Sequence, residues 1–120
     1  MAMPKQTNAN PRELSDEALA LIANRFKLLS EVLRLKLLIQ LEQREMNVSE
    51  LVEATGATQT NVSRHLQALA KAGILSRRKA AQSVYYLISD PGVFDLCKHV
   101  CGSLQRRFEA QAKATRLFAN

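Results

Sequence analysis

The strongest constraint on the fold of this chain is the stretch GATQTNVSRHLQALAKAG, which runs from Gly56 to Gly73. Its first half carries small polar side chains followed by an arginine and a histidine, whereas its second half has the aliphatic spacing of an amphipathic helix. Thr58 can cap this helix and Gly73 can end it. Just before it, a short helical pattern with a capping-box signature, Asn47 and Glu50, stops at Gly56. Two helices joined by a tight glycine-containing turn are typical of a helix-turn-helix.

Two further amphipathic helices are predicted before this pair. Ser15 can cap the first, and the acidic residues in its first turn suit the positive end of the helix dipole. Ser30 can cap the second. The apolar positions that recur at helical spacing are Leu19, Ile22, Ala23, Phe26 and Leu29 in the first helix and Leu33, Leu37, Leu38 and Leu41 in the second.

Two short runs of strand-forming residues follow Gly73. The segments ILSRRK and VYYLIS, separated by AAQS, predict an antiparallel hairpin. From Pro91 onward a long helical pattern, weakened at Gly102, follows the hairpin. The expected fold class is therefore mainly α with a small β-hairpin, a winged helix-turn-helix of order α-α-α-α-β-β-α.

A length of 120 residues predicts a single domain. Residues 1–12 are polar and lack periodicity, so we expect a flexible N-terminal arm before a DNA-binding and dimerisation domain at residues 13–118. No apolar run is long enough to span a bilayer and no secretory signal is visible. Together with only two cysteines, this favours a cytoplasmic protein without membrane contact.

The charge and the polar-fronted helix both point to double-stranded DNA. A formal charge of +6 favours a polyanionic partner. The second helix of a helix-turn-helix lies in the major groove, where Arg64 is the candidate for reading guanine and the Gln59 amide for adenine. The predicted DNA-contacting residues of this helix are Thr58, Gln59, Thr60, Asn61, Ser63, Arg64 and His65. Simpler roles stay open for three of them: Thr58 as the cap, Asn61 as a solvated side chain and His65 as a hydrogen-bonded packing residue.

The predicted hairpin is basic. Arg77, Arg78 and Lys79 lie on its first strand and Gln82 lies at its tip. Such a hairpin beside a helix-turn-helix is a wing that can lie along the sugar-phosphate backbone or enter the minor groove. The alternative is an edge hairpin that charge keeps from aggregating.

The last helix carries an apolar stripe that is too long for one small core to bury. Its members are Val93, Leu96, Val100, Leu104 and Phe108. We therefore expect a homodimer that forms through the terminal helices. A twofold dimer would place two recognition helices about 34–36 Å apart over a pseudo-palindromic operator.

The segment NVSELVEATGATQTNVSRHLQALAKAGILSRRK, followed by VYYLI, resembles the ArsR/SmtB family of winged-helix repressors, and the resemblance extends over about residues 20–105. It implies a homodimer that binds an operator near its own promoter and leaves it when a metal ion, arsenite or a thiol-reactive species is sensed. Family members with a zinc-type site place Asp and His, then His and Glu, along the dimer helix. Here Asp90 is followed by Gly92, and Ser103 and Arg106 take the later ligand positions, so that site is not expected.

The remaining candidates for effector sensing are Cys97 and Cys101 in CKHVC. Their spacing puts both on one helix face with Cβ atoms about 5–6 Å apart, where two thiolates could bind an arsenical or another thiophilic ion. Each cysteine could instead be a small apolar packing residue. No metal ligand set is assigned, and no other cofactor is expected.

The leading hypothesis is thus a sequence-specific transcriptional repressor that a thiol-reactive or thiophilic effector releases from its operator. The alternative is a constitutive winged-helix DNA-binding or architectural module without an inducer site. An enzyme is not expected, because we find no glycine-rich phosphate loop and no nucleophile–base set.

Overall fold

The structure is a computed structural model, and it describes residues 10–119. A short 3-10 turn at Pro11–Glu13 comes first. The elements that follow are α1 (Asp16–Leu29), α2 (Val32–Gln43), β1 (Met46–Asn47), α3 (Val48–Thr55), α4 (Gln59–Lys71), β2 (Leu75–Ala80), β3 (Ser83–Ile88) and α5 (Gly92–Leu117). The predicted winged helix-turn-helix is confirmed, with β1 as an addition. The predicted arm at residues 1–12 lies mostly outside the described residues.

Local hydrogen bonds explain where the helices begin. The Ser15 hydroxyl accepts from the backbone N–H of Ala18 at 3.1 Å, and Asn47 and Glu50 form the reciprocal capping box. The Thr58 hydroxyl accepts from the N–H of Asn61 at 3.2 Å, so its predicted role as a cap is confirmed. The prediction that Ser30 caps α2 is wrong. Ser30 ends α1 instead, and its hydroxyl donates to the Lys27 carbonyl at 2.7 Å.

The three strands form one antiparallel sheet in the order β1-β3-β2. Strand β1 pairs Met46 with Tyr86, which joins the wing to the segment before α3. A two-residue turn closes the hairpin between the paired Ala80 and Ser83. Strand β3 is therefore central: β2 completes the wing on one side of it, and β1 joins the wing to the helical body on the other.

The core lies between α2, α3, α4 and the sheet. Its fully buried side chains are Leu37, Leu38, Leu51, Val62, Leu66, Leu69 and Ile74. Gly56 ends α3 with φ +72°, in the left-handed region that favours glycine, and so lets α4 turn back onto this core.

Helices α1 and α5 leave much of their apolar surface uncovered. In α1 only Leu29 is buried, whereas Leu19, Ile22 and Phe26 are exposed. In α5 the predicted stripe divides into an inner part and an outer part. Val93 is buried in the core of its own subunit and Leu96 packs against that core, so the prediction that Val93 lies in a dimer interface is wrong.

The outer part of the stripe projects from the body of the protein. Val100, Leu104 and Phe108 are 50%, 47% and 61% exposed. None of the helices within residues 10–119 is long and apolar enough to cross a membrane.

Candidate nucleic-acid interface

Helix α4 separates its polar and apolar side chains by face. Gln59, Thr60, Asn61 and Arg64 are exposed at its leading end, and Ser63 is half-buried. On the opposite face Val62, Leu66 and Leu69 are fully buried. The helix thus presents donors and acceptors outward from a fixed support. Its free N-terminal N–H groups add a favourable environment for a phosphate.

The leading side chains are loosely held in the isolated subunit. The Arg64 guanidinium donates to Asn61 Oδ1 at 3.4 Å, a long contact on an exposed surface. Such a contact costs little to break, so the guanidinium is available to another partner.

His65 does not belong to this exposed face. It is 5% exposed, and its Nδ1 atom accepts a hydrogen bond from Arg34 Nε at 2.9 Å. Burial lowers the pKa of His65 below its ordinary value of 6.5, although the Glu31 carboxylate acts in the opposite direction. The prediction that His65 contacts DNA is therefore corrected, and the packing role is the one that the structure supports.

The wing presents cations on both faces of β2. Arg77 and Lys79 are exposed, and Arg77 lines a cleft of about 590 Å³ between α4 and β2 together with Gln67, Lys71 and Ser76. The cleft places one wing cation beside the trailing end of α4.

Arg78, on the other face of β2, is held by a carboxylate. Its guanidinium donates to both carboxylate oxygens of Glu45, from Nη2 to Oε1 and from Nε to Oε2, the latter at 3.1 Å. The same group lies 5.1 Å from the centre of the Tyr85 ring. The hydrogen bonds from Arg78 lower the pKa of Glu45. Sequence alone did not reveal Glu45 as a partner, because the pair joins residues 33 positions apart.

The wing tip is accessible as expected. Gln82 is exposed beside Ala81, whose φ of +55° is uncommon for a residue other than glycine. The tip therefore offers an amide donor and acceptor at the end of the basic strand.

Both cysteines line one apolar groove between α1, α2 and α5. The groove has a volume of about 410 Å³, and Cys97 is half-buried in it while Cys101 is exposed. Its other lining residues are Phe26, Leu29, Leu35, Leu96, Val100 and Leu104. Burial, with a smaller contribution from Glu42, raises the pKa of the Cys97 thiol. Across residues 10–119, no cluster of three or more His, Cys, Asp or Glu side chains is placed to hold a metal ion.

Comparison with known proteins agrees with this architecture. The arsR family of bacterial regulatory proteins matches residues 31–77, which span α2 to the start of the wing. The HTH-type transcriptional regulator KmtR of Mycobacterium tuberculosis is 30% identical over 89 residues, covering 74% of this chain and 68% of KmtR. A probable mercury resistance operon repressor of Streptomyces lividans is 38% identical over 71 residues, covering 59% of this chain and 57% of the repressor.

Solved structures share the fold. The crystal structure of Rv0081 from M. tuberculosis has a TM-score of 0.72 at 27% identity, covering 82% of this chain and 99% of Rv0081. The homodimeric winged helix-turn-helix DNA-binding domain of Mb0332 from Mycobacterium bovis has a TM-score of 0.68 at 32% identity, covering 82% of this chain and 94% of that domain. On the fold, the matched segment and these relatives, the chain belongs to the ArsR family of bacterial regulatory proteins.

Proposed function

We propose that this protein is a sequence-specific, DNA-binding transcriptional repressor that acts in the cytoplasm. The observation that carries the proposal is the division of α4, whose leading end exposes Gln59, Thr60 and Arg64 while its other face is fully buried. In this proposal Arg64 reads guanine and Gln59 reads adenine in the major groove. Arg77, Lys79 and Gln82 of the wing contact the backbone and so strengthen binding without selecting a sequence.

The repressor acts as a homodimer in this proposal. The uncovered apolar faces of α1 and α5 are the surfaces that a second copy would cover, and the related Mb0332 domain is described as homodimeric. Two copies of α4 would then meet two half-sites about one helical turn apart.

The effector is a thiophilic ion or arsenical that binds Cys97 and Cys101. Both thiols open into the same apolar groove, and one of the related repressors is named for mercury resistance. A bridging ion suits this pair better than a disulfide, because a disulfide needs Cβ atoms near about 3.8 Å and would distort the helix. Cys101 is exposed and so is open to the effector, whereas Cys97 is half-buried and burial raises the pKa of its thiol.

Selection from a random-sequence duplex pool tests the DNA-binding proposal. The expected result is an enriched pseudo-palindrome whose half-site centres lie about 10 base pairs apart. Failure to enrich any sequence, with retained binding to bulk DNA, would contradict sequence-specific repression and favour the architectural alternative.

Release from the selected operator tests the effector. We expect arsenite or mercuric ion to release the reduced wild-type protein, and the Cys97→Ser/Cys101→Ser double variant to stay bound. Ser103→Ala, at an exposed position of α5 that does not line the groove, is the matched control. Equal release of the wild type and the double variant would remove these thiols from sensing.

A further inference from the structure

Arg34 connects three helices through a single guanidinium. Its Nη1 atom donates to the Leu28 carbonyl in the last turn of α1 at 2.8 Å, and its Nε atom donates to His65 Nδ1 on α4 at 2.9 Å. Glu31 Oε2 lies 3.0 Å from that Nε and 3.2 Å from that Nδ1. The side chain of Arg34 is only 16% exposed, so these bonds are largely shielded from water.

These hydrogen bonds constrain the orientation of α4, which the apolar core alone does not. A helix end leaves its last carbonyls without intrahelical partners, and the guanidinium satisfies one of them at the negative end of α1. The buried aliphatic face of α4 resists separation but tolerates small rotations, whereas a hydrogen bond is directional. Within residues 10–119, no other side chain of α4 bonds to a side chain of a different helix besides His65.

The protonation state of His65 decides whether the bond to Arg34 exists. A neutral imidazole with a free Nδ1 lone pair accepts the Nε–H of Arg34. An imidazolium would instead direct its own N–H at that donor. The charged groups around it are Glu31 at the N-cap of α2, Arg34 on α2 and Arg64 on α4. Two cations face one carboxylate whose side chain is 47% exposed and therefore screened by water.

We propose that Arg34 and His65 are positioning residues for DNA recognition. Their hydrogen bond fixes the rotation of α4 about its own axis relative to α2, and protonation of His65 breaks it and lowers operator affinity. This rests on the proposed role of α4 in the major groove. Neither side chain touches DNA itself.

The Arg34→Lys variant tests the positioning role, because an ammonium keeps the charge beside Glu31 without the forked geometry that reaches both acceptors. We expect operator affinity to fall about tenfold, the effect of one directional charge-assisted bond. Affinity for random DNA should change less than about twofold, since it depends on phosphate contacts. Arg44→Lys, whose arginine pairs with Glu50 on the exposed surface, is the matched control.

Circular dichroism at the assay temperature shows whether each variant is folded. Equal losses on operator and random DNA by folded Arg34→Lys, or no loss on either, would overturn the positioning role.

The ratio of operator to random-DNA affinity, followed between about pH 7.5 and about pH 5.5, tests the role of His65. In the wild type the ratio should fall about fivefold as pH drops. In His65→Gln it should stay flat, and in the control His99→Gln it should fall as in the wild type. Glu31→Gln removes the carboxylate that favours the imidazolium, so the fall should move to lower pH.

Unfolding on protonation of His65 would reduce binding to both DNAs and leave their ratio unchanged, so the ratio separates positioning from folding stability. An unshifted profile of the ratio in Glu31→Gln would overturn the proposal even if His65→Gln failed to fold. If the proposed DNA-binding function itself were wrong, the same measurement would give a different result. In that case the wild type itself would show no preference for any operator at any pH.

Discussion

At the scale of single residues, polar side chains that are adjacent in the sequence of α4 differ in how far they are exposed to solvent. Arg64 and His65 are neighbours in the chain, yet one is exposed and the other is buried against α2. A difference of one position is about 100° around a helix, which is enough to move a side chain from the outer face to the core. The two residues therefore have different expected effects.

His65 should make folding stability depend on pH. Because its pKa is lowered by burial, the folded protein holds fewer protons than the unfolded chain. The stabilisation is complete above the ordinary value of 6.5 and is lost as pH falls through the lowered value. Urea unfolding at a series of pH values should show a decline that His65→Gln lacks and His99→Gln keeps.

Glu45 and Glu50 affect the pH dependence of folding stability in a different range from His65. Both carboxyl groups have pKa values below 4.5, so they titrate in more acidic solution. A wild-type profile that stays flat between about pH 7 and pH 5 would contradict a buried, neutral His65.

Residue-level prediction from the sequence succeeded where the signal is local. Thr58 and the Asn47–Glu50 box could be read from spacing, because a cap bonds to residues three positions away. Arg34–His65 and Glu45–Arg78 could not, because these partners meet only after distant elements pack. For the Arg34–His65 pair, the one indication in the sequence was an arginine among the leucines of α2.

At the scale of elements, Gly56 in the turn before α4 and Gly102 inside α5 differ in backbone conformation. Gly56 has a positive φ and open space around its Cα, so its requirement is conformational rather than steric. Gly102 lies inside α5, where a Cβ would meet only the mobile tip of Arg106 at 3.2 Å. The same substitution should therefore have opposite effects at the two positions.

Gly56→Ala should lower the free energy of unfolding by about 1 kcal/mol through left-handed strain. Gly102→Ala should raise it by about 0.5–1 kcal/mol, because alanine is the better helix former. Chemical denaturation of both variants checks the pair. If both substitutions changed the free energy of unfolding in the same direction, the left-handed conformation assigned to Gly56 would be contradicted.

The elements themselves were largely predictable, and the exception is informative. Within residues 10–119, amphipathic spacing and turn residues identified the five α-helices and the hairpin, but not the short 3-10 turn at Pro11–Glu13. Strand β1 has only two residues, too few to show alternation, and it exists because Met46 pairs with Tyr86. Its position follows from tertiary packing.

At the scale of the whole molecule, the uncovered faces of α1 and α5 require an explanation that a single subunit does not supply. Exposed Phe26 and Leu104 line the groove that holds the two cysteines, and exposed Phe108 lies further along the apolar stripe of α5. An assembly that covers this surface would bring effector sensing and dimerisation to the same place. Membership of a family of transcriptional regulators confirms the expectation that the chain is not an enzyme.

Leu104→Glu tests the assembly. A carboxylate placed in a covered apolar surface carries a large desolvation cost, so the variant should shift from dimer to monomer in analytical ultracentrifugation and lose operator affinity. Ile39→Glu, at an exposed aliphatic residue of α2, is the control. A wild-type protein that sediments as a monomer at all concentrations would contradict the dimer.

The most direct measurement is the affinity of Arg64→Ala and Arg77→Ala for operator and random DNA across a range of salt concentrations. If the leading end of α4 reads bases, Arg64→Ala should lose about 1–3 kcal/mol on the operator and far less on random DNA. Arg77→Ala should weaken both equally and reduce the salt slope by about 1. Equal losses from Arg64→Ala on both DNAs would contradict base reading by α4.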